Sequence, residues 1–229
     1  MNLMKRHFLA IALGLLVCAA AACNPLAPQP DRTEYFVLSP TAETGAAAST
    51  ASTARLALGV GPIKFPDYLK RPGVVTRASS DRLLVSDEKR WGEPLDRNFE
   101  SVLCQNLAQI LGTEKIITYP WYSDTHIDYQ VEVRVFRFEA TADGRSQMAA
   151  VWTIRDGRDG HELATGESNA SSPLPGGDSV GSAALSQELG RLSSQIGQRI
   201  VALNESSATR RMSLRAPVIK PAGAGFMPS

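Results

Sequence analysis

The sequence predicts an α/β fold in which a mixed, largely antiparallel β-sheet is packed by two long amphipathic helices in a single domain. Residues 95–111 and 179–203 both carry large apolar side chains at helical spacing. Residues 127–168 contain three strand-like runs separated by turns with Asp-Gly, a pattern typical of an antiparallel meander. A sheet packed by helices follows from these two patterns.

The chain begins with a pattern typical of a bacterial lipoprotein signal peptide, predicted to span residues 1–22. Lys5 and Arg6 precede an apolar run of fifteen residues that ends at Ala22. This run is short for a bilayer, which needs roughly 20 apolar residues. Cys23 directly follows Ala20, Ala21 and Ala22 and is predicted to take the lipid. The site resembles the lipobox, with Ala20 where that pattern prefers Leu.

Two alternatives to lipidation at Cys23 remain open. Cys18 is the competing cysteine, although Val17 before it is branched where a small residue is expected. A plain secretory signal cut after Ala22 would instead leave Cys23 as a free thiol.

Asn24, rather than Asp, follows Cys23 and resembles an outer-membrane sorting signal. A cysteine that carries more than one acyl chain stays on the membrane.

Length, charge and cysteine content limit the classes of protein to consider. Removing 22 residues from 229 leaves 207, enough for one domain with a core and tails. The formal net charge of +1 argues against a nucleic-acid partner. With Cys18 removed and Cys23 lipidated, Cys104 has no cysteine to pair with.

The first part of the mature chain predicts a tether, two strands and a loop. Residues 23–32 are polar and Pro-rich and form the tether. The β-branched and aromatic residues 33–38 predict the first strand, and residues 55–63 predict the second. Residues 41–54 between them are of low complexity and predict a flexible loop. The domain is expected to cover residues 33–204.

Residues 61–72 contain three prolines and are predicted to form a stiff crossing. Proline fixes φ and removes a backbone donor, so the stretch is expected to be neither helix nor central strand. Tyr68 and Leu69 lie between the second and third prolines. They either fill the edge of the core or contact a partner or ligand.

A β-hairpin and the first helix follow this crossing. Residues 73–77 and 82–86 are short apolar runs joined by turn residues. The helix over residues 95–111 ends at Gly112 and has Asn106 as the polar residue of its apolar stripe.

Three residues around this helix invite a functional interpretation. Trp91 either packs at the helix start or belongs to a binding edge, with Arg90 solvated or stacked on its ring. Cys104 is interpreted as a small half-buried hydrophobe rather than a nucleophile, because no neighbouring residue supplies a base.

The second half of the chain predicts four strands, a helix and a tail. Residues 114–119 and 127–141 are predicted to be strands, and the alternation of the second breaks near Phe136, which indicates a bulge or a change of burial. Residues 147–155 and 161–168 complete the meander. A Pro/Gly loop (171–177), the second helix (179–203) and a disordered basic tail (205–229) follow.

No constellation of catalytic or metal-binding residues stands out in the sequence. His126 and His161 lie outside any HExxH motif, and Asp156 and Asp159 lie in a turn, where carboxylates are expected for solubility. We therefore expect no enzymatic activity, metal or cofactor, and we predict a role in binding or assembly.

The stretches GPIKFPDYLKRPGVVTR and RWGEPLDRNFESVLCQNLAQILG resemble the PqiC/YmbA family, the auxiliary lipoproteins of ABC-type transport systems. The resemblance extends over roughly residues 33–203. The residues at the family's signature positions are Pro62, Pro66, Tyr68, Leu69, Arg71, Pro72, Arg90, Trp91, Glu93 and Leu95. Those taken as candidate partner contacts are Pro66, Tyr68, Leu69, Arg71, Pro72, Arg90 and Trp91.

The resemblance implies a lipoprotein on the periplasmic face of the outer membrane. Its partner in such systems is an MCE-domain protein of the inner membrane, which carries phospholipid or similar molecules between the two membranes. The implied role is to dock the far end of that conduit and to support membrane integrity without catalysis. Assembly as a homo-oligomer is left open. The alternative is a periplasmic lipid-binding lipoprotein with its own pocket between sheet and helices.

Overall fold

The computed structural model describes His7 and residues 31–41, 53–176 and 180–215, with side chains up to Arg210. The chain divides into two compact units, Met1–Arg32 and Thr33–Ser229. Nearly all of the first unit lies outside the described residues, as do Cys23 and most of the predicted 41–54 loop. Among the described helices, none combines the length and the apolar character needed to cross a membrane.

In the described residues, the second unit contains eight strands and two α-helices. This arrangement confirms the predicted α/β class with a mixed sheet. The strands are β1 (Glu34–Phe36), β2 (Leu58–Lys64), β3 (Gly73–Arg77), β4 (Leu83–Trp91), β5 (Ile116–Thr118), β6 (Tyr129–Thr141), β7 (Arg145–Asp156) and β8 (Glu162–Pro173). The helices are α1 (Leu95–Leu111) and α2 (Ser182–Arg215), and a short 3₁₀ turn spans Asp67–Leu69.

The sheet branches at β6. On one edge, β6 pairs with β7 from Tyr129 to Thr141, and β7 pairs with β8 to complete the predicted antiparallel meander. The other edge of β6 is shared by two parallel strands: β2 pairs near its start and β3 pairs at its end. Strand β2 continues to β5, whereas β3 continues to β4 and β1. The crossing over residues 65–72 therefore joins two strands that follow one another along the same edge.

Both helices cover one face of this sheet. Along β6, Val131, Val133 and Val135 are buried, whereas the alternating residues Glu132 and Arg134 face the other side. The core between sheet and helices is tightly filled with apolar side chains. At its centre, the rings of Phe65, Phe99 and Phe138 meet edge to face at centroid distances of 5.1, 5.2 and 6.5 Å. We call the other side of the sheet, which neither described helix covers, the open face.

The first helix and the bulge match the sequence prediction. Helix α1 spans Leu95–Leu111 and ends at Gly112, which adopts the left-handed conformation expected of a C-terminal glycine. Strand β6 shifts register against β7 between Val135 and Arg137, which confirms the predicted bulge.

The prediction that residues 61–72 contain no central strand is wrong for the first four of them. Strand β2 continues through Pro62 to Lys64 and lies between β5 and β6. Its register against β6 shifts between Val60 and Ile63, so the missing donor of Pro62 coincides with an interruption of the regular pairing.

Two strands are longer than predicted because their partners are distant in sequence. Strand β4 was expected to end at residue 86 but runs to Trp91, where it pairs with β1. Strand β8 runs to Pro173, into the predicted 171–177 loop, because it pairs with β7 as far as Arg145. In the described residues β8 pairs only with β7, and proline is tolerated on such an edge strand.

The second helix also extends beyond its predicted end at residue 203. It continues to Arg215, so the first part of the predicted disordered tail is helical. Ser206 and Thr209 donate side-chain hydrogen bonds to the carbonyls four residues earlier, at 2.8 and 3.0 Å, so neither residue interrupts the helix. Residues 216–229 lie outside the described part of the chain.

Two buried asparagines on α1 hold the segment that follows β1. Asn98 Oδ1 accepts a hydrogen bond from the Leu38 backbone N–H at 2.6 Å, and Asn106 Oδ1 accepts one from Thr41 at 3.2 Å. Asn106 also donates to Ser193 Oγ on α2 at 3.2 Å. Asn106, the predicted polar residue of the helix stripe, thus joins the two helices to the segment that follows β1.

We expect Asn98→Ala to lower the free energy of unfolding by about 1–3 kcal/mol, because the buried Leu38 N–H would lose its acceptor. Urea denaturation measures this loss. The matched control is Gln105→Ala on the exposed side of the same helix, which should change stability by less than about 0.5 kcal/mol. Equal stabilities of the two variants would show that the Asn98 hydrogen bond is dispensable.

Candidate functional site

The structure brings the crossing and the entry to α1 together. The Trp91 backbone N–H donates to the Pro72 carbonyl at 2.9 Å. One residue earlier, Arg90 is the register partner of Gly73 on β3 and of Tyr35 on β1. Segments far apart in sequence therefore meet at one place on the β3–β4–β1 branch of the sheet.

Some of the candidate partner-binding side chains point into the core of the protein. Leu69 is 2% exposed and Trp91 is 7% exposed, and both belong to the hydrophobic core. Leu95 is likewise buried. These side chains support the crossing and the helix start from within, and they are not accessible to a partner. Their burial favours core packing over partner contact for Leu69 and Trp91.

Three of the remaining candidates form a surface, whereas Pro66 and Tyr68 are half-buried. Arg71, Pro72 and Arg90 are exposed. Tyr35, which the sequence analysis did not single out, is 66% exposed and shares a sheet face with Arg90 because the two are register partners. We call Arg71, Pro72, Arg90 and Tyr35 the crossing surface. Tyrosine and arginine are enriched at protein interfaces, and here both are presented on a supported backbone.

Tyr68 anchors the crossing to the part of β6 that neither β2 nor β3 covers. Its hydroxyl lies 3.0 Å from Glu139 Oε2 and 3.2 Å from the Phe136 carbonyl oxygen. Arg77 Nε donates to Glu139 Oε1 at 2.7 Å, and its guanidinium lies 5.7 Å from the centre of the Tyr68 ring. Glu139 Oε2 also accepts the Phe138 backbone N–H at 2.8 Å. Three residues from three segments thus donate hydrogen bonds to one carboxylate.

The Glu139 side chain is 0% exposed, so these protein donors replace the hydrogen bonds that water would otherwise make to its oxygens. Burial, followed by the negative charge of Glu139 and the hydrogen bond to it, raises the pKa of Tyr68 to about 12. Tyr68 therefore stays a neutral donor throughout the physiological range. Sequence reasoning missed Arg77 and Glu139. The available signal was an acidic residue directly after Phe138, close to the break in the alternation of the strand.

We expect Glu139→Gln to lower the free energy of unfolding by about 3 kcal/mol or more, because the amide leaves Arg77 without its buried counter-charge. Thermal or urea denaturation measures the effect. Glu167→Gln on β8, where the carboxylate is exposed, is the matched control and should stay within about 0.5 kcal/mol of wild type. A small effect at Glu139 would show that the crossing does not depend on the ion pair.

The other residues with possible chemical roles, Cys104 and a cluster of Asp156, Asp159 and His161, have structural roles instead. Burial, with a smaller contribution from Glu100, raises the pKa of the Cys104 thiol to about 12, which disfavours the nucleophilic thiolate. Asp156, Asp159 and His161 have side-chain atoms within 4.8 Å of one another. Both carboxylates already accept backbone N–H groups of the turn, at 2.8 and 3.0 Å. This cluster stabilises the β7–β8 turn.

A comparison with known protein families identifies the family of this chain. The sequence model of the ABC-type transport auxiliary lipoprotein component matches residues 36–197, which is more than half of the chain. The chain belongs to this family. The match includes the crossing, both sides of the sheet branch and α1, so the resemblance seen in the signature positions is confirmed.

Individual relatives agree with this assignment. The chain is 29% identical over 154 residues to the intermembrane transport lipoprotein PqiC of Escherichia coli, covering 66% of this chain and 74% of that protein. The same values hold for the PqiC of Shigella flexneri. A solved structure from Xanthomonas campestris superposes with a TM-score of 0.62 at 16% identity, covering 76% of this chain and 97% of the other. At that identity the superposition supports the fold alone.

Proposed function

We propose that this protein is an outer-membrane lipoprotein, anchored through Cys23, that docks the periplasmic end of an MCE-domain conduit in an intermembrane lipid transport system. The family match over residues 36–197 supports a role as an auxiliary lipoprotein of transport. The name of the Escherichia coli relative, intermembrane transport lipoprotein, supports the route between two membranes. In this role the protein binds its partner, supports membrane integrity and catalyses no reaction.

The crossing surface is the observation that carries the docking proposal. Signature residues of the resemblance, Arg71, Pro72 and Arg90, are exposed side by side with Tyr35, while Leu69 and Trp91 hold the same backbone from below. The Glu139 site fixes the other end of the crossing through Tyr68. A surface held in this way loses little conformational entropy on binding, which favours its use as an interface.

The alternative, a lipid carrier with its own pocket between sheet and helices, has less support. The space between these layers is occupied by side chains such as Phe99, Phe138 and Leu107, each with 0% exposure. An apolar ligand would have to displace this packing, at a cost of several kcal/mol.

Partner capture from detergent-solubilised membranes tests the docking proposal. We expect Arg71→Glu/Arg90→Glu to reduce recovery of the MCE-domain protein at least about tenfold, because charge reversal at an interface costs several kcal/mol. The matched control is Arg82→Glu/Arg158→Glu, which reverses two exposed charges elsewhere. Recovery at the wild-type level by the Arg71/Arg90 variant would contradict docking through the crossing surface.

Cell fractionation tests the proposed outer-membrane localisation separately. We expect the mature chain to begin at an acylated Cys23 and to sediment with the outer membrane, and we expect Cys23→Ser to move it to the soluble fraction. Cys18→Ser is the control and should be processed normally. Intact mass spectrometry distinguishes the products. An acylated Cys18, or an unmodified N-terminus after Ala22, would contradict the proposal.

A further inference from the structure

A cleft of about 280 Å³ opens on the open face, where β2, β6 and β7 lie side by side. Lys64 and Arg134 are register partners on β2 and β6, and both line this cleft. Thr153 and Arg155 on β7 complete its polar side. The crossing surface involves none of these residues, so the cleft is a second feature of the same sheet.

The cleft has an excess of positive charge. Its lining includes three cations, Lys64, Arg134 and Arg155, and one carboxylate, Glu132. Arg155 Nε donates to Glu132 Oε1 at 3.1 Å, and Gln130 donates to the same oxygen at 3.3 Å. Glu132 is therefore already engaged by neighbours other than Lys64 and Arg134.

The pairing of Lys64 with Arg134 is unfavourable without an anion. Like charges directly opposite one another on neighbouring strands repel. Both side chains are exposed, and within the described residues neither has an acidic partner at ion-pair distance. An ammonium and a guanidinium side by side match the oxygen atoms of a phosphate group.

The rim of the cleft is apolar. Pro62, Val151 and Phe136 line it, and Phe136 is 49% exposed although it is a large hydrophobic residue. The β6 bulge, which places both Phe136 and Arg137 on the surface, accounts for this exposure. A water molecule takes about 30 Å³ in the liquid, so a 280 Å³ cleft accommodates a polar head group rather than acyl chains.

We propose that this cleft binds the phosphodiester head group of an anionic glycerophospholipid. The phosphate contacts Lys64 and Arg134, and the glyceryl backbone and the first acyl methylenes lie against Phe136 and Pro62. The preference for an anion follows from the cleft itself, whereas the choice of a lipid as the source of the phosphate rests on the proposed function. The protein would then hold a lipid head group at a place distinct from its docking surface.

Calorimetric titration of the mature full chain carrying Cys23→Ser tests this proposal without detergent. The probes are dihexanoyl phosphatidylglycerol below its micelle concentration, dihexanoyl phosphatidylcholine, glycerophosphoglycerol and inorganic phosphate. We expect the phosphatidylglycerol to bind most tightly. Lys64→Gln/Arg134→Gln should weaken this binding at least about tenfold, because two charged hydrogen bonds are lost. Phe136→Ala should weaken binding of the lipid but not of glycerophosphoglycerol.

The matched control is Lys115→Gln/Arg158→Gln, which removes the same charge from two exposed residues outside the cleft. It should bind as the wild type does. The circular dichroism spectrum should be unchanged and the melting temperature should not fall in either double variant, because all four residues are exposed.

Several results would overturn the proposal. They are no binding of phosphatidylglycerol by the wild type, equal binding by the Lys64/Arg134 variant, or an equal loss in the control. If inorganic phosphate or glycerophosphoglycerol binds as tightly as the lipid, the site is a phosphate site and the lipid assignment is wrong. Capture of the MCE-domain protein by the Lys64/Arg134 variant separates the two proposals. A failed lipid titration with normal capture refutes the cleft alone, and failed capture by the wild type refutes docking alone.

Discussion

The division of one edge of β6 between two strands is the constraint on which the rest of the structure depends. Strands β2 and β3 pair with separate parts of that edge, so the chain between them must leave the sheet and return to it within eight residues. The uncovered stretch of β6 coincides with its bulge. Tyr68 and Arg77 close this gap by binding Glu139, which gives the buried carboxylate its donors and gives the crossing a fixed position.

The same constraint explains why one short crossing can support a surface. Its backbone is held at Tyr68 by hydrogen bonds, at Leu69 by burial, and at Pro72 by the hydrogen bond from Trp91. Side chains that point outward from such a backbone are presented in defined directions. The segment that follows β1 is held by Asn98 and Asn106.

The buried Glu139 site and the cleft on the open face use charge differently. At the buried Glu139 site, each charge has a partner and the network stabilises the fold. In the cleft on the open face, Lys64 and Arg134 lie opposite each other without such a partner among the described residues. Solvent screens the repulsion between the two side chains, and a bound phosphate would neutralise their charges. An uncovered sheet face thus gives the domain room for a ligand that its densely packed helical face lacks.

The sequence alone determined the elements whose signals are local. The apolar stripe and Gly112 defined α1, the break near Phe136 defined the bulge, and the Asp-Gly turns defined the meander. The family could be recognised from the proline crossing and the Arg90-Trp91 motif. The extension of α2 to Arg215 was missed because a hydrophobic stripe is not needed where a helix continues beyond the core. Only the tertiary structure decided that β4 continues to pair with β1, that Leu69 and Trp91 point inward, and that Lys64 meets Arg134. Strand pairing joins residues far apart in the chain, and no local pattern records which edge a strand will find.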